Sequence, residues 1–526
     1  VNSLVTRRYP FTRTISRLAI AFLGGVTMGI TVAPVSWWPL AWVALVPLWS
    51  LVLIEEKSLK KSLLYATAWG CGYHGLALFW ITGIHPMTWM GVPWLASLAI
   101  ALFCWIFITL WGAGIVVAWV SGMFYIRRTI SNSSFADALA RILIGTALWC
   151  VLETLWSRSP LWWTTLAYTQ SPRNLPILQW GTLSGFTTVT AILVAVNGSL
   201  AEGIALVRRS RKNLVFLLLP LALYFGSHLW GWNAYHKKVE MSRDDAITIG
   251  IVQGNIPNTL KLSPEGFRRA IEGYTEGYRT LSERGVDAVL TPETALPYFW
   301  DDLTNNSSLY SAILEKGTPI WVGAFGRAAN GYTNSLFSVN GEGKTLDRFD
   351  KVILVPLGEY VPFEEILGRA IDRLSPLKTR LIAGSPNQTV NTPFGRAIVG
   401  ICYESAYSEH FRGQAARGGE FILTASNNAH YSAAMPAQHH AQDVMRAIET
   451  DRWMARATNT GYSAFVDPRG NTPWISGINT YEIHAETIYR RQTRTLYTRW
   501  GNWLPGVLVI FAAIVCIWRV SEDGRS

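Results

Sequence analysis

The chain has 526 residues, half of them apolar, a formal net charge of +11 and five cysteines. It is too long for one ordinary core, and its apolar residues are spread unevenly, which excludes a single soluble domain and makes the membrane the first solvent to consider. The positive balance is no argument for nucleic acid, because much of it sits in short loops between apolar runs, where its expected partner is anionic lipid.

In chain order, apolar runs occupy residues 18–32, 38–53, 63–84, 92–126, 138–156, 186–207, 214–230 and, after a long polar interval, 504–518. Each is near the roughly 20 residues with which a helix crosses a bilayer. About eight spans are therefore expected, the fourth long enough to be tilted, broken or double. No small-residue cleavage site follows the first run, so it is expected to stay in the mature protein. The breaks alternate in charge. Arg7, Arg8 and Arg13 precede the first run, Lys57, Lys60 and Lys61 follow the second, Arg127 and Arg128 the fourth, and RRSRK the sixth. The intervening breaks carry tryptophan and almost no charge. Short basic loops stay in the cytoplasm, so the polar interval is expected on the opposite side of the membrane. Apart from flanking residues the runs hold almost no charged side chain, Glu153 being the main exception, and this argues against an ion-coupled transporter. GVTMG, in the first run, has the small-residue spacing of closely packed membrane helices.

A membrane domain over residues 1–232, a polar domain over 243–490 and a closing helix over 503–518 follow from this pattern. In the polar domain AITIGIVQGN, DAVLTPET, PIWVGAFGR, RAIVGICYE and EFILTASNN read as buried strands. Residues 263–285 and 435–459 read as amphipathic helices. Their alternation predicts an α/β layered fold, in which ligands collect at the carboxyl ends of strands. Three ionisable residues fall at such ends or in the loops nearby: Glu293 in LTPETALP, Lys351 in RFDKVILVPLGEYVP and Cys402 in GICYESAYSEH. Singly, each has a plain reading as a solvated carboxylate, an exposed ammonium and a packed thiol. Together they supply the base, the oxyanion cation and the nucleophile of acyl transfer through a thiol. Cys71, Cys104, Cys150 and Cys516 lie in the apolar runs, which leaves Cys402 the sole cysteine of the polar domain. An unpaired thiol facing an oxidising compartment is unusual and favours a functional reading. His439 and His440 are adjacent on a helix and lack the i, i+4 spacing of a metal pair, so no metal is expected, and no cofactor.

The order Glu, Lys, Cys in TPETALP, DKVILVPLGEYVPF and GICYESAYSE, with QGNIP upstream and ASNNAHYS and RATNTGYSAFVDPRG downstream, resembles the nitrilase, or carbon-nitrogen hydrolase, superfamily. Joined to seven spans before and one after, and to PLWWTTLAYTQ and YTRWGNW, it resembles the bacterial apolipoprotein N-acyltransferase family. The resemblance implies an αββα sandwich on the periplasmic face of the inner membrane. It implies acyl transfer from a membrane phospholipid, by way of a thioester on Cys402, to the α-amine of a diacylglyceryl-cysteine at a lipoprotein N-terminus. Glu293 would be the base, Lys351 the oxyanion cation, Glu359 and Glu404 their supports and Tyr403 a pocket wall. Trp163 and Tyr168 would line the lipid entrance, and a monomer is expected. The chain departs from the family pattern at Thr291, where tryptophan is common, at Leu262, where an aromatic is common, and across Asn427 to Ser432, NNAHYS. A membrane-tethered amidase acting on a small C–N bond is the alternative; it would use the same triad without needing long acyl chains.

Overall fold

The structure, a computed structural model, describes residues 9–54, 58–130, 134–356, 358–360, 381–429 and 431–523. Arg7, Arg8, Lys57 and His430 lie outside the described residues. The chain forms two compact units, one comprising Val1–Phe79, Leu102–His236 and Asn502–Ser526, the other Trp80–Ala101 and Lys237–Gly501.

The first unit is helical. Among the described residues, four helices are long and apolar enough to cross a membrane by length and composition: Trp94–Thr129, whose first residues belong to the second unit, Phe135–Trp156, Phe186–Arg209 and Arg211–Tyr235. The long fourth run is thus a single unbroken helix. Thr14–Gly29, Trp38–Ile54 and Leu504–Arg519 are shorter apolar segments, the second of them a 3-10 turn, Trp38–Trp42, leading into the helix Val46–Ile54. Gly25 lets the first helix touch the helix Leu59–Ala77, since a Cβ there would lie 1.9 Å from the Trp69 carbonyl oxygen.

The expectation that the apolar runs hold almost no charge needs correcting. Arg141 and Glu202, each 1% exposed, pair at 2.6 Å, and Trp49 Nε1 donates to the same carboxylate at 3.3 Å. Two opposite charges that satisfy each other present no net charge to an apolar surrounding, which is how they stand in otherwise apolar helices. Glu153 is held differently: it accepts from the Leu166 N–H at 2.9 Å and from Thr190 Oγ1 at 2.6 Å, tying the loop that carries Trp163 and Tyr168 to two helices.

The second unit contains two six-stranded sheets. One runs β12-β1-β2-β3-β4-β5, with β1 Ala246–Gln253, β2 Ala288–Leu290, β3 Ile320–Ala328, β4 Gly331–Val339, β5 Thr345–Asp350 and β12 Glu482–Tyr489. The other runs β11-β10-β9-β8-β7-β6, with β6 Val390–Thr392, β7 Gly395–Ile401, β8 Phe421–Ser426, β9 Met454–Thr458, β10 Ala464–Val466 and β11 Trp474–Ile475. Strand alternation builds the layers. Ile247, Ile249 and Ile251 of β1 share one buried cluster with Val399 and Ile401 of β7 and Leu423 of β8, so the sheets pack face to face. Val252, Val289 and Val322 turn the other way, onto Tyr274, Tyr278 and Leu281 of the helix Pro264–Glu283. Behind the second sheet Gly400 admits the Phe411 ring, whose helix is Ser408–Ala416. The layers are therefore helix, sheet, sheet, helix.

The helix expected over 435–459 ends earlier. It spans Ala434–Thr450, Asp451 takes a left-handed conformation at φ +55°, and Met454–Thr458 is the central strand β9. All five of its residues are buried, and such a strand carries no polar alternation by which to tell it from a helix.

Candidate active site

Strand direction gathers the site. β1, β2 and β3 are parallel, β5 runs with β3 because each is antiparallel to β4, and β7, β8 and β9 are parallel. Glu293 follows β2, Lys351 follows β5, Cys402 follows β7 and Asn427 follows β8. Each therefore stands just past the carboxyl end of its strand.

Lys351, 1% exposed, places Nζ 2.9 Å from Glu293 Oε1 and 2.8 Å from Glu359 Oε1. Burial alone would favour the neutral amine, but the two carboxylates raise its pKa well above the ordinary value and keep it charged. Asn334 of β4 donates Nδ2 to Glu293 at 2.7 Å and to Glu359 at 3.3 Å, and the Asn427 N–H donates to Glu293 Oε2 at 2.9 Å. Burial would push the Glu293 carboxyl up, yet Lys351 holds it below its ordinary value. For Glu359, burial prevails and its carboxyl is raised.

Cys402 is 7% exposed and stands at φ +53°, a left-handed conformation that costs a non-glycine residue about 1–2 kcal/mol. Its Sγ donates to the Asn427 carbonyl at 3.9 Å, so Asn427 touches both the thiol and Glu293. Burial, reinforced by the Glu293 charge, pushes the thiol up to about 12. Cys402 therefore rests as a neutral thiol, joined through Asn427 to an ionised carboxylate.

Glu404, 0% exposed, accepts from the Val352, Ile353 and Ile401 N–H groups at 2.7, 3.0 and 2.7 Å. It links the chain after Lys351 to the end of β7 through backbone, whereas Glu359 contacts Lys351 directly. Tyr403 is half-buried, edge-on to Tyr407 at 5.4 Å. Trp163 and Tyr168 belong to the helical unit, where both are buried. Thr291 is buried and accepts the Gly323 N–H at 3.1 Å, and Leu262 is 50% exposed. Tyr431 packs edge-on against Trp80 at 5.0 Å, and Trp80 Nε1 donates to Gln438 at 3.0 Å.

Sequence reasoning did not single out Lys261. It is buried, donates to Thr294 Oγ1 at 2.7 Å and to the Glu293 carbonyl at 3.3 Å, and burial lowers it to about 8. A lysine on a short helix gives no sign in the sequence that it will be buried. Asn334 and Asn427 were also missed as site residues, although NN after an apolar strand run marks where a backbone turns.

A two-sheet sandwich with thiol, carboxylate and ammonium at its strand ends has the make-up of a carbon-nitrogen hydrolase domain, and the family model described as Carbon-nitrogen hydrolase matches residues 248–491. A second family model, described as Apolipoprotein N-acyltransferase N-terminal domain, matches residues 24–199. The apolipoprotein N-acyltransferase of Nostoc sp. is 58% identical over 507 residues, covering 95% of this chain and 99% of that one. That of Synechocystis sp. is 50% identical over 513 residues, covering 94% and 99%. A solved amidase from Nesterenkonia sp. is 16% identical with a TM-score of 0.36, covering 52% of this chain and 99% of that one. The chain belongs to the apolipoprotein N-acyltransferase family.

Proposed function

We propose that this chain moves a fatty acyl group from a membrane phospholipid to Cys402, and from that thioester to the α-amine of a diacylglyceryl-cysteine at a lipoprotein N-terminus. The observation that carries the mechanism is the convergence of Cys402, Glu293 and Lys351 on one buried point, bridged by Asn427. Because the thiol is pushed up to about 12 and Glu293 is held low, the proton cannot leave sulfur in advance. Glu293 takes it as Sγ attacks the ester carbon. The oxyanion is met by Lys351, two of whose three N–H donors are engaged by Glu293 and Glu359, and by the N–H of the peptide after Cys402. Collapse breaks the acyl C–O bond, and Glu293 returns the proton to the lysophospholipid oxygen. In the second half the amine attacks the thioester carbon, Glu293 accepts its proton, and an amide forms as the thiol is restored.

The apolar segments are eight crossings of a bacterial inner membrane, over residues 1–232 and 503–518, with the catalytic domain, 243–490, on the periplasmic side. What supports this is the alternation of basic and uncharged breaks. The basic loops meet anionic lipid, nucleic acid has no part in the reaction, and the chain works as a monomer.

Glu293→Gln tests the mechanism, since it keeps the hydrogen-bonding shape and removes the proton acceptor. Acyl-enzyme formation from labelled phospholipid is expected to slow by on the order of a hundredfold or more. A fall confined to the amine-dependent second step would mean that another group takes the thiol proton.

The pH profile gives a second test. A base held below the ordinary carboxylate range stays ionised at any pH above that range, and a thiol raised as far as Cys402 forms no appreciable thiolate below about pH 9. The single-turnover rate of acyl-enzyme formation is therefore expected to be flat from about pH 5 to 8. A roughly tenfold rise per pH unit in that window would point to free-thiolate attack instead.

A further inference from the structure

His439, fully buried on the helix Ala434–Thr450, places Nε2 2.7 Å from the carbonyl oxygen of Cys402. A carbonyl can only accept, so Nε2 carries the hydrogen. Nδ1 lies 3.2 Å from Asn428 Nδ2 and then accepts from it. The amide of Asn428 is oriented by Arg456, whose Nη2 is 3.5 Å from Asn428 Oδ1 and can only donate. Arg456 is itself buried against Asp443, and its Nε donates to the Tyr462 carbonyl at 3.0 Å. The chain of donors thus runs in one direction, from Arg456 through Asn428 and His439 to the carbonyl of Cys402. Burial, and then the Arg456 charge, hold the imidazole far below its ordinary pKa, so it stays neutral.

A peptide unit is planar, with its C=O and N–H opposed, so a grip on the Cys402 oxygen fixes the direction of the N–H on its far side. A hydrogen bond accepted at the oxygen also polarises the unit and strengthens that N–H as a donor. Cys402 needs such a grip, because its left-handed backbone is strained. We propose that His439 is a positioning residue, which locks and polarises the Cys402–Tyr403 peptide so that its N–H is aimed at the oxyanion formed when Sγ attacks. The proposal rests on the reading of Cys402 as nucleophile.

The test uses two variants of the full chain. Glutamine can set its amide nitrogen near the place of Nε2 and still donate to the Cys402 carbonyl. Asparagine is too short and keeps only the contact toward Asn428. With phospholipid donor and diacylglyceryl peptide acceptor, His439→Asn is expected to lose roughly ten- to a hundredfold in kcat with KM unchanged, less than the full loss of an oxyanion donor. His439→Gln should recover at least about tenfold of that loss. An equal fall in both folded variants, a fall carried by KM, or wild-type kcat in the Asn variant would overturn the proposal. If the Asn variant does not fold, the Gln variant decides alone: kcat within about tenfold of wild type supports the proposal, and a larger loss overturns it. In each case a slowly formed acyl adduct on Cys402 is expected. Its absence from the wild-type protein would contradict the nucleophile assignment rather than the role of His439.

Discussion

Cys402→Ser is expected to yield folded protein with no measurable acyl transfer, a loss of at least about a thousandfold. The substitution exchanges one small buried group for another at the same strained backbone position, so the melting temperature should change little. The chemistry should not survive. A hydroxyl is harder to deprotonate than a thiol, and Glu293, the base proposed here, is weakened by the ammonium of Lys351. Intact mass and thermal melting establish the fold, and release of labelled lysophospholipid measures the first half-reaction. Turnover near the wild-type rate would mean that some other group accepts the acyl chain.

Lys351→Met is expected to damage both activity and stability. The ammonium is shared by the buried Glu293 and the part-buried Glu359, and its removal leaves the two carboxylates facing each other across Asn334. Breaking a buried ion pair from one side typically costs about 3–5 kcal/mol. In the proposed role of Lys351 as the oxyanion cation, its loss should remove a further ~3–4 kcal/mol of transition-state stabilisation. The sign of the pH response separates the two effects. Without Lys351, burial should raise Glu293 as it already raises Glu359, and a raised carboxyl opposes folding more strongly as pH climbs through and above its unfolded pKa. The variant should therefore gain stability relative to wild type as the medium is acidified toward pH 5, while its activity stays lost. Wild-type stability across that range, or activity within tenfold, would contradict the assignment.

The parts of this site that could be read from the sequence share a physical cause. Glu293 and Cys402 each follow an apolar run too short for a helix, and turn residues next to such a run mark the carboxyl end of a buried strand. Lys351 follows a strand whose residues are largely polar and part-exposed, so its place depends on the motif around it rather than on periodicity. β4 and β5 were not read as strands because GYTNSLFSV and TLDRFD mix polar and apolar residues without a clean alternation. Asn334, which contacts both carboxylates, was lost with them. The charges within the helical unit were underestimated for a related reason. Arg141 and Glu202 are 61 residues apart, and only the packing of two helices makes them a pair. Lys261 and His439 act on backbone atoms of Glu293 and Cys402, a relation that side-chain spacing does not encode.

The proposed mechanism requires a covalent bond between the sulfur of Cys402 and an acyl carbon. Purified full-length protein incubated with phospholipid and no acceptor, digested and measured by mass spectrometry, should show the peptide bearing Cys402 heavier by one fatty acyl group. The added mass should disappear with neutral hydroxylamine or with a diacylglyceryl-cysteine peptide, which would leave carrying the same chain. Phospholipid consumption with Cys402 unmodified throughout, or an acyl group fixed on another residue, would contradict the account.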